Sequence, residues 1–197
     1  MWSVVNVAGL VNVIDSLLAV RSLVYERGEW TPEQFLRELD AQGERFRLML
    51  LKAPCYGVDD PKSDALAEDF ARRVFEAFDQ EKPYLGRAFL PSSIQFVTYA
   101  DAGRPVRATP DGRGDGQPLA DSIGPLSGKT LKGPTALLKS AARLPQEKAV
   151  GTPVLNLRLQ KRFLRDHLKS LALSYFDMGG LQMQISCLSR EDMLNAL

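Results

Sequence analysis

The sequence predicts an α/β fold that contains parallel strands. Residues 154–159 alternate apolar and polar side chains, and residues 181–187 repeat this alternation after a helical stretch over residues 161–178. A strand, a helix and a strand with such short connections form a βαβ unit, whose strands run parallel. Most other apolar residues recur every three or four positions, which indicates helices that bury one face.

Residues 1–82 are predicted to form a helical section. Apolar spacing and end signals define four helices, over residues 4–26, 31–41, 43–51 and 62–81. Asn12 interrupts the apolar surface of the first, which is expected to be buried on most sides. Thr31 and Gln34 have the spacing of a capping box. Glu68 and Arg72 lie four positions apart, which favours an ion pair on the exposed side of the longest helix.

The middle of the chain is predicted to contain one strand and a long irregular segment. Residues 93–99 alternate and include β-forming residues, so they are predicted to be a strand. Residues 101–134 contain seven Gly and five Pro and show neither helical nor strand periodicity. Loops of this length inside a compact domain are uncommon and are usually functional or linkers. We therefore expect an ordered, irregular traverse over a surface that something else covers.

Residues 134–197 are predicted to contain a helix, the βαβ unit and the start of a last helix. Pro134 suits the first turn of a helix that runs to Arg143. Ser189 is expected to cap the last helix, which is only about seven residues long when it reaches Leu197. A crossover helix normally leads to a further strand, and Met1 begins almost inside an apolar helix. Both ends of the fold are therefore expected to be incomplete.

Composition argues against several classes of function. Twenty-five Lys and Arg against 24 Asp and Glu give a formal net charge of +1, so an extended basic surface for nucleic acid or anionic lipid is not expected. Asp15 and Arg21 interrupt the most apolar stretch, which is shorter than the ~20 residues of a membrane-spanning helix. The N-terminus lacks a secretory signal and the two cysteines form no disulfide framework, so a cytoplasmic protein is expected.

Residues typical of metal and nucleophile sites are few. With His167 as the one histidine and Cys55 and Cys187 as the two cysteines, a zinc site of about four such ligands is not expected. His167 lies off the apolar stripe of its helix, which is typical of a partly exposed histidine. No basic or cationic environment that would activate either thiol can be read from the sequence.

Residues 124–130 resemble a phosphate-binding loop, although the match is inexact. The pattern G-x-x-x-x-G-K-[ST] requires its first glycine at the position that Ile123 occupies. The preceding segment is rich in Gly and Pro, whereas the pattern requires a strand there. A nucleotide site is therefore not predicted.

Several motifs follow one another in an order that points to a single enzyme family. The first is Ala108-Thr109-Pro110-Asp111-Gly112-Arg113, for which spacing alone leaves a generic surface turn as the alternative. The others lie at residues 6–10, 20–25, 53–60, 116–121, 133–136, 139–140, 155–157 and 175–184. In this order they resemble the glycyl radical enzymes of the pyruvate formate-lyase type, in particular the branch with glycerol and diol dehydratases, choline lyases and decarboxylases. The resemblance covers essentially the whole chain.

The resemblance implies a fold and a chemistry. The fold is a ten-stranded β/α barrel made of two half-barrels, of which this chain is a portion that is incomplete at both ends. In the family, a glycyl radical abstracts hydrogen from a cysteine inside the barrel, and the thiyl radical attacks the substrate. A separate iron–sulfur S-adenosylmethionine activating enzyme installs the radical, so no cofactor bound by this chain itself is implied. The implied partners are the remainder of the enzyme, the activating enzyme, a small-molecule substrate and a second copy in a homodimer.

The catalytic motifs of the family are implied to lie outside this chain. The Cys-x-Glu loop of relatives precedes Met1, the Arg-Val-x-Gly-Tyr segment follows Leu197, and Cys55 replaces the Lys of a Pro-Lys-Tyr-Gly motif. The resemblance therefore implies neither a glycyl radical domain nor a catalytic or metal-binding residue here. In relatives, the strand before the Ala-Thr-Pro-Asp-Gly-Arg motif lines the substrate pocket. The implied substrate-binding residues are Tyr99, which stands where many relatives have His, Val106, Ala108 and Pro110.

The resulting hypothesis is a portion of a glycyl-radical lyase or dehydratase that is inactive by itself. The implied reaction is radical cleavage of a C–C, C–O or C–N bond in a small substrate such as a diol, a choline-like compound or a 2-oxo acid. Hydrogen-atom transfer requires the donor and the radical in near contact, and both are implied to lie in other polypeptide. The alternative is a non-catalytic accessory subunit with a half-barrel fold, and a third hypothesis is an unrelated small-molecule-binding domain.

Overall fold

The computed structural model describes residues 2–129 and 132–187, in which one or more helices lie between successive strands. The strands are β1 (Ser3–Asn6), β2 (Phe89–Ser92), β3 (Val154–Arg158) and β4 (Gln182–Ser186). The helices are α1 (Leu10–Val20), α2 (Pro32–Ala41), α3 (Glu44–Lys52), α4 (Pro61–Ala77), α5 (Thr98–Gly103), α6 (Pro134–Arg143) and α7 (Lys161–Asp177). A π-helical stretch, Arg21–Glu26, extends α1, and short 3-10 turns lie at Phe78–Gln80 and Gln146–Lys148.

The four strands form two parallel pairs that a single bridge connects. β1 pairs with β2, and β3 pairs with β4 across the crossover helix α7, which confirms the predicted βαβ unit. Between the pairs, Ser93 donates its N–H to the carbonyl of Thr152 at 3.2 Å and accepts from the N–H of Val154 at 3.0 Å. The spatial order is therefore β1-β2-β3-β4 with all strands parallel, which is the arrangement of a sector of a β/α barrel.

The N-terminal segment differs from its prediction. Residues 3–6, predicted to begin a helix, form β1, and α1 begins at Leu10 after Gly9, whose φ is 78°. Val4 and Val5 are β-branched and pair with β2, so a contact with a distant segment outweighs the local helical spacing. The predicted helix over residues 4–26 is therefore wrong at its start, while the remainder is helical to Glu26.

The strand predicted at residues 93–99 is also wrong. The observed strand β2 ends at Ser92, Phe96 has a φ of 49°, and Thr98 begins α5. The Thr98 hydroxyl donates to the carbonyl of Gln95 at 2.5 Å, which supports the turn into the helix. The alternation of residues 93–99 is a local signal, and it contains no information on which segment pairs with β1. It therefore placed the strand too late in the chain.

The helix starts and surface pairs agree with the sequence. Gln34 donates its N–H to the Thr31 hydroxyl at 3.2 Å, while the Thr31 N–H donates to the Gln34 side chain at 2.9 Å, so the capping box is confirmed. Glu68 and Arg72 form the predicted ion pair at 2.8 Å. The helix predicted to begin at Ser189 lies outside the described residues.

Two hydrophobic clusters support the fold. The larger lies between the strands and helices α1, α4, α6 and α7, and its most buried members include Ile14, Leu138 and Tyr175. The smaller lies beneath α2 and α3, where the ring of Phe46 contacts Trp30 edge to face at 5.3 Å between ring centroids. Within the described ranges, no helix has the length and apolar character needed to cross a bilayer.

Candidate functional site

The irregular segment at residues 104–129 forms the main wall of a cleft of about 620 Å³. Ile123 and Leu126 are buried and fix this segment to the body of the protein, which confirms the predicted ordered traverse. The other walls are Arg47 of α3, Tyr99 of α5, the start of α6 and the end of β3. A concave site of this volume is typical of small-molecule binding.

The guanidinium group of Arg113 organises the first half of this wall. Its Nη1 donates to the carbonyls of Gly114 at 3.0 Å and Gln117 at 2.8 Å, and its Nη2 donates to the carbonyls of Val106 at 3.1 Å and Arg107. Its Nε donates to the hydroxyl of Thr109 at 3.2 Å. Arg113 is only 3% exposed. One side chain therefore donates to four carbonyls of a segment whose own backbone hydrogen bonds form only turns and an isolated bridge.

Asp111 connects the same segment to helix α1. One carboxylate oxygen accepts from the Asn12 amide at 2.6 Å, and the other accepts from the Thr109 hydroxyl at 2.6 Å and the Arg113 N–H at 3.1 Å. The side-chain oxygen of Asn12 (Oδ1) accepts from the N–H of Ala120 at 2.8 Å. Asn12 therefore bonds to the irregular segment at two points, Asp111 and Ala120. This explains why a polar residue interrupts the apolar surface of α1.

A second polar pair fixes the later part of the wall. Gln95 donates its N–H to the Ser122 hydroxyl at 3.2 Å, and Ser122 donates its N–H to the Gln95 side-chain oxygen at 2.8 Å. The Gln95 amide also donates to the carbonyl of Val7 at 2.6 Å. Ser122 has a φ of 58°, so this reciprocal pair holds a backbone conformation that side chains disfavour.

Asp15 lies buried behind the cleft, one turn from Asn12 on α1. One of its oxygens accepts from the N–H of Tyr56 at 2.8 Å, and the other has no hydrogen-bond partner within the described residues. Burial raises the pKa of Asp15 to about 7, although Lys129 opposes the increase. The ammonium of Lys129 is itself nearly buried and donates to the carbonyl of Leu50 at 3.0 Å. The molecule thus contains a carboxyl group that titrates near neutrality.

The cysteine and histidine side chains show no activated site. Burial raises the pKa of the Cys55 thiol to about 11, with Asp15 adding to the increase and Lys129 and Lys132 opposing it. The structure thus places cations near Cys55 that the sequence did not reveal, but burial outweighs them and the thiol stays protonated at neutral pH. His167 is exposed on α7, as predicted, with its ring centroid 4.5 Å from that of Phe163.

The structure distributes the four predicted substrate-binding residues over different surroundings. Tyr99 lines the cleft, and its backbone carbonyl accepts from the N–H of Leu119 at 3.1 Å. Ala108 lines a smaller pocket against α3. Val106 and Pro110 are half-buried on the turn that Arg113 organises, outside the lining of the large cleft. Substrate contact by these residues stays a prediction.

The cleft also contains residues that sequence reasoning missed. Arg47 projects from α3, and Asn156 and Arg158 project from β3 on the side opposite its buried leucines. The alternation of β3 indicated that these two side chains share a face, but it did not show what that face meets. Arg47 had no local signal, because its role depends on packing between α3 and the irregular segment.

Gly103 supplies a test of how tightly the wall is packed. A Cβ at this position would overlap the backbone carbonyl of Gln117, so Gly103→Ala is expected to displace the wall and to lower the free energy of unfolding by about 2 kcal/mol. Urea denaturation measures this change. Gly43→Ala is the control, because a Cβ at Gly43 would have no other atom within 4 Å, and its effect is expected to stay below about 1 kcal/mol. Equal effects of the two variants would contradict close packing of α5 against the wall.

Family comparisons agree with the motif order. Residues 1–103 match the family described as pyruvate formate lyase-like. The chain belongs to this family. Residues 119–197 match the glycine radical family, so both parts of the chain point to the glycyl radical enzymes and the resemblance is confirmed. The Arg-Val-x-Gly-Tyr sequence does not occur in the 197 residues, and the expectation that the radical-bearing segment is absent stays a prediction.

Curated relatives in the pyruvate formate lyase-like family include lyases and dehydratases. The isethionate sulfite-lyase of Desulfovibrio desulfuricans is 36% identical over 136 residues, which is 67% of this chain and 16% of that protein. The trans-4-hydroxy-L-proline dehydratase of Clostridioides difficile is 26% identical over 197 residues, which is 95% of this chain and 25% of that protein. The chain therefore spans a quarter or less of the length of these relatives.

A solved glycyl radical enzyme shows the same fold. The glycerol-bound B12-independent glycerol dehydratase from Clostridium butyricum superposes with a TM-score of 0.92 at 30% identity. The superposition covers 99% of this chain and 26% of the dehydratase. The four parallel strands and their helices are therefore part of a glycyl radical enzyme barrel, which confirms the predicted fold class.

Proposed function

We propose that this chain is a section of a glycyl-radical lyase or dehydratase and contributes part of the barrel and of the substrate-pocket wall. The observation that carries the proposal is the superposition of 99% of the chain on a glycerol dehydratase, in a chain of the same family. The polar network around Arg113 and Asp111 supports it, because a pocket wall must be rigid to orient a substrate. The proposal assigns substrate contact to Tyr99, Val106, Ala108 and Pro110.

In this proposal the radical glycine and the thiyl cysteine belong to other polypeptide. The glycyl radical, installed by an iron–sulfur S-adenosylmethionine activating enzyme, supplies hydrogen-atom abstraction. The role of this chain is to bind and orient the substrate and to exclude water from the reacting atoms. Cys55 is a poor candidate for the thiyl position because it is buried behind the cleft rather than lining it.

The proposed reaction is cleavage of a C–O, C–N or C–C bond in a small molecule. The named relatives include a dehydratase and a sulfite-lyase, which act on different bonds, so the family supports the reaction class. The two cysteines, Cys55 and Cys187, are free thiols, which is typical of proteins in a reducing compartment. The proposal therefore includes a cytoplasmic location, and it includes assembly with the remainder of the enzyme in a homodimer.

The test uses the complete reading frame that contains this chain. Its product, expressed anaerobically with an activating enzyme, is expected to show a glycyl radical by electron paramagnetic resonance and to convert one of glycerol, propane-1,2-diol, isethionate or trans-4-hydroxy-L-proline. Tyr99→Ala is expected to lower kcat/KM by about tenfold or more with an unchanged radical signal, because it removes a ring from the cleft wall. Tyr25→Ala, at an exposed position on the extension of α1, is the matched control.

Three outcomes would overturn the proposal. The first is a reading frame and neighbouring genes that lack both a Cys-x-Glu loop and an Arg-Val-x-Gly-Tyr segment. The second is substrate turnover by the 197-residue chain alone. The third is a radical-bearing enzyme in which Tyr99→Ala and Tyr25→Ala have the same kcat/KM. This result would show that the cleft is not part of the substrate pocket.

A further inference from the structure

The segment that resembles a phosphate-binding loop lies in the wall of the cleft. Residues 124–129 line it, and α6 begins a few residues later with Gly133 and Pro134 on the same surface. The segment follows an irregular stretch rather than a strand, so it is not a nucleotide-binding loop. It nevertheless brings a lysine, glycine-rich backbone and the start of a helix to one side of a concave site.

The charged side chains of the cleft are mostly cations. Arg47, Lys129 and Arg158 line it, together with one carboxylate, Asp121, which already accepts from the Ser122 hydroxyl at 3.0 Å. Arg113 also lines the cleft, but the carbonyls described above occupy its donors. The cleft is therefore electropositive, in a chain whose formal net charge is only +1.

Two of these cations have donors to spare. Lys129 is 8% exposed, and the three N–H groups of its ammonium have one hydrogen-bond acceptor within the described residues, the Leu50 carbonyl. The buried Asp15 carboxyl interacts with the Lys129 charge without a hydrogen bond between them in the described structure. The Nε of Arg47 is buried with no hydrogen-bond partner there, and its ion pair with the exposed Glu44 is long, at 3.8 Å. Arg47 and the Leu50 carbonyl belong to the same helix, α3, and Arg47 and Lys129 both line the cleft.

Burial of an incompletely matched charge favours a ligand of opposite sign. A buried ammonium is stabilised when its free donors meet negatively charged acceptors. Asp15 supplies one carboxyl near Lys129, but burial raises the pKa of Asp15 to about 7, so this carboxyl balances the Lys129 charge only in part near neutrality, and Lys129 also lines the cleft. The first turn of α6 has no capping side chain, since its N-cap is Gly133. Pro134 has no N–H, so the N–H groups of Thr135 and Ala136 are the ones that add to the positive potential.

We propose that Lys129, Arg47 and the start of α6 bind the oxyanion group of a small molecule, which is a phosphate, a sulfonate or a carboxylate. The site concerns binding alone and does not depend on the radical chemistry proposed above. Its failure and the failure of the proposed function are therefore distinguishable, because the first is measured by titration and the second by radical formation and turnover.

The experiment is a calorimetric titration of the protein with inorganic phosphate, methanesulfonate and acetate at constant ionic strength, with chloride as the reference anion. Saturable binding of at least one oxyanion is expected. The oxyanion with the lowest dissociation constant identifies whether the site prefers a phosphate, a sulfonate or a carboxylate. Lys129→Met is expected to weaken that binding by about tenfold or more, since it removes a charge-assisted hydrogen bond. Arg47→Met tests the same site at a half-exposed position and leaves the buried Lys129 ammonium in place. It is also expected to weaken oxyanion binding.

Arg73→Met is the matched control. Arg73 is an exposed cation on α4, paired with Asp69 at 2.8 Å outside the cleft, and its replacement is expected to leave oxyanion binding unchanged. Circular dichroism confirms that each variant is folded before titration. The proposal is overturned if none of the three oxyanions saturates, if chloride reproduces the heat, or if Arg47→Met binds as tightly as Arg73→Met.

Discussion

Replacement of Arg113 by methionine is expected to lower the free energy of unfolding by about 2–3 kcal/mol. The variant keeps much of the side-chain volume but leaves the carbonyls of Val106, Arg107, Gly114 and Gln117 without their common donor. Two features limit the loss. The Val106 and Gly114 carbonyls keep one backbone donor each, the N–H of Gly116 at 3.1 Å and the N–H of Gln117 at 3.3 Å, and water can reach the carbonyls of the exposed Arg107 and Gln117. Urea denaturation measures the total change.

Hydrogen exchange locates the effect of Arg113→Met within the molecule. Amides of residues 104–120 are expected to exchange faster in the variant, while those of α4 keep their protection, because the network belongs to the cleft wall. Arg107→Met is the control on the same segment: Arg107 is exposed and pairs with the exposed Asp40 at 3.3 Å, so a change of about 0.5 kcal/mol or less is expected. A loss of similar size in both variants would show that the wall does not depend on the Arg113 network.

The parts of the fold that local signals predicted are those whose contacts are close in sequence. The Thr31–Gln34 capping box needs only a spacing of three, and the parallel pairing of β3 with β4 follows from one short βαβ unit. The prediction for β1 was wrong because its partner β2 is distant along the chain. Apolar spacing alone cannot distinguish a buried helix start from a short buried strand.

The candidate site was harder to predict because its polar residues contact one another across long stretches of chain. Asn12 bonds to Asp111 and Ala120, and Lys129 bonds to the carbonyl of Leu50. The signal available in the sequence was a polar residue within an apolar surface, at Asn12, and it indicated burial without naming a partner. The motif that includes Asp111 and Arg113 pointed to the correct segment, but these two side chains bond mainly to protein rather than facing an open pocket.

Asp15 is expected to make the stability of the protein depend on pH in the acid-to-neutral range. Burial raises its pKa from 3.8 to about 7, with Asp111 adding to the increase and Lys129 and the Tyr56 N–H opposing it. Between about pH 4 and pH 7, Asp15 therefore keeps a proton in the folded state that it has released in the unfolded state. Stability is highest below the unfolded pKa and falls as the pH rises through the folded pKa, by up to about 4 kcal/mol at about 1.4 kcal/mol per unit.

Asp15→Asn tests this dependence because the amide keeps the shape and cannot ionise. The variant is expected to resemble the native protein at pH 4, because the protonated carboxyl and the amide both leave one group without a hydrogen-bond partner in the described structure. It is expected to be more stable than the native protein at pH 8 by up to about 4 kcal/mol. Urea denaturation at both pH values measures the difference. Asp166→Asn, at an exposed position on α7, is expected to show no such change between the two pH values. If the stability of Asp15→Asn relative to the native protein is the same at pH 4 and pH 8, then Asp15 ionises in the folded protein as freely as in the unfolded chain, and the buried carboxyl is not the source of the pH dependence.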